Sequence, residues 1–522
     1  MPEATRTGAG PSRRPTLRAS SSTSPAAADA LHAAAHGTAA PGTDGSAGLG
    51  RRRLGVPALA FMIIAASAPL TVVAGGVTSN YAVTGLLGIP LSFLVLGVAL
   101  MVFAVGYTAM SRWVTNAGAF YSYISLGLTR WAGVGSAWVA LVAYNAMQIG
   151  IYGMLGFVLS SFLAGTFGVT VPWWTTALAG WAVVGLLGIN KVDLSAKVLG
   201  LVVALEFLIV LVYDVVALGA APEGLTTASL EPGALFSAGV GAALVFSIAA
   251  FMGCESGAIY NEEVEDPRST ARRATLVAIV VIALFYAFSA WAMAVGEGDS
   301  AVVARSAELG PDLMFVFLEG RVAGWFIVLG NLLFMTSVLA ALIAFHNVIA
   351  RYLFSMGGEG VLPRILARTN RAQAPVAGSL VQSAVALAVI VAFAVAGAGH
   401  ELGALFPVIT LFTWLTNMGA LGLVALMTLT SFAVVGFFRR HPRSEGAWTA
   451  FYAPLLAGAA LLVLLFMILA NFGVLIGSEG GVLSWLLPAL VLAAGAAASL
   501  WALGLRRRRP DVYERIGAGT GR

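Results

Sequence analysis

From residue 54 to residue 505 the chain repeats one pattern, an apolar run followed by a short interval that holds most of the charge. About 20 predominantly apolar residues in a helix cross roughly 30 Å of hydrocarbon. Twelve runs reach that length, at 54–78, 89–110, 132–163, 171–189, 194–218, 234–263, 274–295, 322–355, 376–396, 402–438, 451–472 and 482–505. The pattern predicts an all-α integral membrane protein of twelve transmembrane helices. Outside it lie residues 1–50, rich in Ala, Ser, Thr, Gly and Pro like a disordered tail, and a basic tail at 506–522. The start is not expected to be a signal peptide, because the next apolar run is too long for an h-region and further spans follow.

Composition agrees with the pattern. The chain is 59% hydrophobic and 10% charged, whereas soluble domains run near half apolar and about a quarter charged. A net charge of +5 raises the question of a nucleic-acid partner, and the placement of the basic residues answers it. Arg51 to Arg53, Arg112, Arg130, Lys191, Lys197, Arg268, Arg272, Arg273, Arg351, Arg364, Arg368, Arg371, Arg439, Arg440, Arg443 and Arg506 to Arg509 fall at alternate ends of the spans. Arg305 and Arg321 fall on the other side. Cytoplasmic loops collect Lys and Arg, so both termini are expected in the cytoplasm and no nucleic acid is implied.

Cys254 is the single cysteine, so neither an intrachain disulfide nor a thiolate metal cluster can form, and no metal or cofactor is expected. Lys191 and Lys197 are the only lysines and neither ends a Gly-rich phosphate loop. The HExxH and GxSxG patterns are absent as well. Chemistry on a substrate is therefore not expected, which leaves secondary transport, channel activity or a receptor role.

Two spans carry signals for interruption. In the first, FMIIAASAPLTVVAGG, Pro69 removes a backbone donor and crowds the preceding turn, beside the hydroxyls of Ser67 and Thr71. In the sixth, IAAFMGCES, Gly253 lowers the cost of non-helical backbone. Paired breaks at matching places mark the midplane site of secondary transporters, where half-helix N-termini attract anionic groups. Spans 1 and 6 are equivalent if five spans repeat inverted, giving 5 + 5 + 2, with repeats at about 54–218 and 234–438 and extra spans at 451–505.

The residues at Phe251 to Glu255 (F-x-G-x-E), Asn261 to Glu263 (N-E-E) and Asp266 to Arg268 (D-P-R) resemble the sixth-span signature of the amino acid–polyamine–organocation permeases. The segment from Ala344 to Ser379 after span 8, and TNAGAFYSYISLGL after span 2, resemble the same family. The resemblance implies a LeuT-type fold with spans 1 and 6 discontinuous. It also implies uptake or exchange of amino acids or related amines through a lipid bilayer, with a proton favoured over sodium for coupling. Polyamine or amine exchange, and a transport-inactive amino-acid sensor, stay open. Where many members have a Gly-Ser-Gly break this chain has Ala66-Ser67-Ala68-Pro69; where many have a second proline after D-P-R it has Ala271; where some proton-coupled relatives place a lysine it has Glu206. Many Arg, few Lys and abundant Ala and Gly suit a GC-rich bacterial genome, hence a bacterial cytoplasmic membrane.

The resemblance places a substrate carboxylate near Ser67, Ala68, Pro69, Leu70 and Thr71 of span 1 and Ala250, Phe251 and Gly253 of span 6. Phe251 matches the family's aromatic lid, and one Phe among 28 is equally a packing residue. Glu255 is either a gate or proton-linked group, as intramembrane ionisable residues commonly are, or a structural partner of unwound backbone. Glu206 needs a partner, a proton or a cation. The readings are ion coupling, with a sodium site open, or a hydrogen bond to Thr336 or Ser337 of span 8. Tyr144, Gln148 and Tyr152 recur every fourth residue and form one polar stripe, which lines a pathway or bonds to a neighbouring span. Glu262, Glu263, Glu265 and Asp266 end span 6, where the helix dipole disfavours negative charge. Arg51 to Arg53, Arg112 and Arg351 share that face, so the readings are an inner gate of ion pairs, at Glu262 and Glu263 above all, or a solvated acidic cap, an equal reading for Glu265 and Asp266.

Overall fold

The computed structural model describes residues 55–114, 119–190, 196–255, 257, 264–266, 269–370, 374–441, 445–477 and 480–517. Helices dominate, and no β-strand occurs among the described residues. A backbone in hydrocarbon must satisfy its own donors and acceptors, and a helix does so within one segment.

The first apolar run holds α1 (Val56–Ser67) and α2 (Pro69–Thr71), which continues through a wide π-turn (Val72–Val77) into α3 (Thr78–Thr84). Next come α4 (Ile89–Met110), α5 (Ala119–Gly127), α6 (Arg130–Phe167), α7 (Trp173–Ile189), α8 (Ala196–Ala220) and α9 (Val240–Ala249). The second half holds α10 (Thr270–Glu297), α11 (Gly324–Gly358), α12 (Val376–Ala396), α13 (Thr413–Arg440), α14 (Ala453–Ala470) and α15 (Val482–Arg508). Ten helical segments among the described residues are long and apolar enough to cross a membrane. The remaining two expected positions carry the shorter apolar helices α7 and α9.

Small residues let these helices approach closely, the usual way apolar helices associate where lipid offers no hydrophobic drive. α6 packs against α13, α15, α11 and α7. A methyl group on Gly419 of α13 would stand 2.9 Å from the Ala143 carbonyl of α6, and one on Gly422 would stand 2.6 Å from the Ala143 Cβ. α4 meets α10 in the same manner, with Gly97 against Ala283 at 2.5 Å. α8 and α11 run antiparallel, since Ser337 bonds Glu206 while Gly330, two turns earlier, faces Ile209. α9 and the segment after it are almost all buried within the bundle, whereas α1 buries one face, through Leu59, Ala60, Ile63, Ile64, Ala65 and Ser67, and leaves Pro57 and Phe61 exposed.

Candidate functional site

The first interruption follows from three residues. Ala68 adopts φ 51° and ψ 74°, the one described non-glycine residue with positive φ, a conformation that costs a residue with a Cβ about 1–3 kcal/mol. Pro69 has no N–H to offer the Ala65 carbonyl, and the Ala68 amide donates there instead at 3.0 Å. The Leu70 amide turns away from its helical acceptor and donates to Glu206 Oε2 at 3.3 Å.

Glu206 of α8 therefore caps the helix that restarts at Pro69. The same Oε2 accepts from Ser337 Oγ of α11 at 2.8 Å, and Thr71 Oγ1 donates to Ser337 Oγ at 3.2 Å. Thr336, the other expected partner, is exposed and donates back to the Leu333 carbonyl of its own helix. Ser67 Oγ donates to the Ile64 carbonyl at 2.7 Å and bonds the Tyr286 hydroxyl of α10, also at 2.7 Å.

The second interruption follows α9. Residues 250–255 form tight turns, with Phe251 N bonded to the Ile248 carbonyl and Cys254 N to the Phe251 carbonyl. Gly253 sits at φ 102°. Glu255 folds back over this turn: its Oε2 accepts from Gly253 N at 2.9 Å and its Oε1 from the Tyr144 hydroxyl of α6 at 2.6 Å. Tyr107 of α4 donates to the Glu255 backbone carbonyl at 2.9 Å. A buried carboxylate with donors on both oxygens is held in place, which offsets part of the cost of its burial.

The two interruptions touch, since a Cβ on Gly253 would stand 2.8 Å from that of Ala66. Between them and the inner faces of α4, α6, α11 and α13 lies a cavity of about 60 Å³. Ala66, Ser67, Ala68, Thr71, Ala249, Ala250 and Met252 form its wall at the interruptions. Phe93, Met147, Ile151, Phe246, Phe345, Phe412 and Thr416 complete most of the remainder. Among the described residues, the polar side chains on this wall are the hydroxyls of Ser67, Thr71 and Thr416, and no charged side chain lines it.

Of the residues singled out by sequence, Ser67, Ala68, Thr71 and Ala250 reach the cavity. Pro69, Leu70, Phe251, Gly253, Tyr144 and Gln148 are buried behind it. Gln148 donates to the Leu342 carbonyl at 3.1 Å and accepts from Gln382, so its amide joins α6 to α11 and α12. Phe251 packs beside the wall residue Phe93, with centroids 6.4 Å apart. Glu262 and Glu263 lie outside the described residues. Arg112 pairs with Glu445 at 3.1 Å, and Glu265 is exposed beside Gly55. The aromatic and aliphatic wall was missed because such residues look like any packing residue in a chain this apolar.

Ten helical segments long and apolar enough to cross a membrane, among the described residues, define a multi-pass membrane protein. The amino acid permease family model matches residues 54–494, and the chain belongs to that family, within the amino acid–polyamine–organocation superfamily. Amino acid transport is the activity of the family. No curated protein matches the chain.

Proposed function

We propose that this permease is a secondary active transporter that carries a neutral amino acid across the cell membrane by proton-coupled symport. Its twelve spans would form a 5 + 5 inverted repeat plus two helices, with the cavity opening alternately to each side as one helix group rocks against the rest. Both termini would face the cytoplasm. The observation that carries this reading is the contact of the two interruptions around one cavity.

The lining also selects among substrates. The Leu70 and Gly253 amides are already engaged by Glu206 and Glu255. A substrate ammonium can therefore donate to the hydroxyl oxygens of Ser67, Thr71 and Thr416 and to the Ala66 carbonyl, which the Leu70 N–H no longer meets, while a substrate carboxylate must draw these hydroxyl hydrogens from their present acceptors. The apolar remainder of the wall suits an uncharged side chain. A polyamine would leave its ammonium groups without a carboxylate, since neither Glu206 nor Glu255 lines the cavity.

The test is uptake of labelled neutral amino acids, charged amino acids and polyamines into proteoliposomes under imposed pH, sodium or counter-substrate gradients. Accumulation of neutral amino acids driven by a pH gradient is expected. Accumulation of polyamines, or specific binding with no flux under any gradient, would refute the reading, the latter in favour of a sensor.

A further inference from the structure

Asp214 is a second buried carboxylate of α8, two turns beyond Glu206, and it is placed differently from the carboxylates at the interruptions. Glu206 and Glu255 each join several donors. Asp214 has one, Ser289 Oγ of α10, which donates to Oδ2 at 2.9 Å. Its Oδ1 is buried and has no hydrogen-bond partner, and the same is true of the neighbouring Tyr213 hydroxyl. Asp214 itself is 0% exposed.

Among the described residues, the surrounding elements bring it no counter-charge. α1, α2 and the short helix Leu313–Leu318 contain no ionisable side chain. α11 carries His346, Arg351 and Tyr352 beyond Ser337, in the direction away from Asp214. α10 carries Arg272 and Arg273 in its first turn, Tyr286 one turn before Ser289, and Glu297 at its end, where Arg305 Nε stands 3.4 Å from Oε2. Tyr81 of α3 bonds the Ala290 carbonyl. Arg321 lies over the ring of Phe317 at 4.3 Å, and that ring packs edge-on against Tyr213. An ionised carboxylate with a single donor and no cation is costly in apolar surroundings, and a hard metal ion would require several more oxygen ligands than one carboxylate and one hydroxyl provide. A proton is the cation this site can take.

We propose that Asp214 is the site of the transported proton. Two short links join it to the cavity: Ser289 holds Asp214, and Tyr286, one turn back on α10, bonds Ser67 on the cavity wall at 2.7 Å. Protonation at Oδ1 removes the uncompensated charge and leaves Oδ2 to accept from Ser289, whereas the anion needs a further donor or a cation. Loading and release of the proton thus change how α8 holds α10, and through α10 the first interruption. The proton enters Oδ1 from the external side, where Glu297 and Arg305 stand, and leaves to the cytoplasm after the cavity reorients. This inference rests on the proton-coupled reading above.

The test combines two measurements on the full chain. Infrared titration of the protein in nanodiscs should show a protonated-carboxylic-acid carbonyl band that disappears in Asp214→Asn and shifts in Ser289→Ala. In proteoliposomes, Asp214→Asn should lose pH-gradient-driven accumulation by about tenfold more than it loses counterflow, within the usual range of a coupling effect, and Asp214→Glu should restore part of it. An unchanged infrared spectrum, wild-type accumulation in Asp214→Asn, or loss of counterflow that Asp214→Glu does not rescue would each overturn the assignment. Failure of the wild type to exchange any amino acid would instead sink the transport reading, and the infrared result would still decide whether Asp214 binds a proton.

Discussion

Gly253 turns the face where a side chain would stand onto Ala66, and a methyl group there would approach the Ala66 Cβ to 2.8 Å. This contact joins the two interruptions directly. It makes Gly253 necessary twice over, for its φ of 102° and for the space. Gly253→Ala is expected to cost about 1–3 kcal/mol for the backbone conformation, with the overlap in addition, and to lower both the unfolding temperature and counterflow. Pairing it with Ala66→Gly should relieve the overlap and leave the backbone strain, giving partial recovery. Equal defects in the single and double variants, compared by thermal melts and counterflow, would show that the two residues do not press on one another.

Glu255 answers to two donors of different kinds, a tyrosine hydroxyl from α6 and the amide of Gly253. In Glu255→Gln one side-chain oxygen becomes an NH₂ group, so either Tyr144 or Gly253 N–H faces a donor where it had an acceptor. A buried donor left unsatisfied costs about 1–3 kcal/mol. The variant is expected to abolish gradient-driven uptake, and Tyr144→Phe, which removes one donor only, to reduce it less. Accumulation at the wild-type level in Glu255→Gln would remove Glu255 from the mechanism.

How much of this could be read from the sequence differs between backbone and wall. Pro69 and Gly253 announce the interruptions because their covalent structure restricts or frees the chain locally. Glu206 and Glu255 stand out because an acid in an apolar run needs a reason. The cavity wall gives no such signal: Phe93, Met147, Phe246, Phe345 and Phe412 are apolar residues in apolar helices, and only packing decides whether each faces lipid, core or cavity. Asp214 is also an acid in an apolar run and was passed over, since its significance depends on the partner it lacks, which is a property of the assembled helices. Span 6 was expected over 234–263 with a break near Gly253; the helix stops at Ala249, a turn before that glycine, and the turns up to Glu255 take over the backbone hydrogen bonds.

Ser337 and Thr336 are adjacent hydroxyls with opposite surroundings, and they separate a role for Glu206 from a general effect on α11. Ser337 donates to Glu206 and receives Thr71, so Ser337→Ala leaves two buried groups short of a partner and should slow transport. Thr336 is exposed and bonded within its own helix, so Thr336→Ala should stay within about 0.5 kcal/mol of the wild type. Glu206→Ala should impair uptake more than either, because it removes the one oxygen that the Leu70 amide and Ser337 both meet, whereas Glu206→Gln keeps an oxygen there and should impair it less. Uptake in wild type and Ser337→Ala should be insensitive to sodium. A sodium requirement that Ser337→Ala weakens would instead assign Glu206, Ser337 and Thr71 to an ion site.

Substrate size should be set by the apolar wall, because the hydroxyls of Ser67, Thr71 and Thr416 can hold only the part common to all amino acids. Phe345 of α11 lines the cavity and its ring packs against Tyr144, with centroids 6.1 Å apart. Phe345→Ala would enlarge the cavity toward α6 while leaving both interruptions and their carboxylates in place. Each methylene that a pocket gains or loses is worth about 1–3 kcal/mol of discrimination. The variant should therefore shift preference from small toward bulky neutral amino acids by roughly tenfold per methylene. Competition of labelled alanine uptake by unlabelled valine, leucine and phenylalanine reads the shift directly. An unaltered order of competition would mean that the substrate side chain does not contact Phe345, and a gain for arginine or lysine would mean that the wall is not what excludes charge.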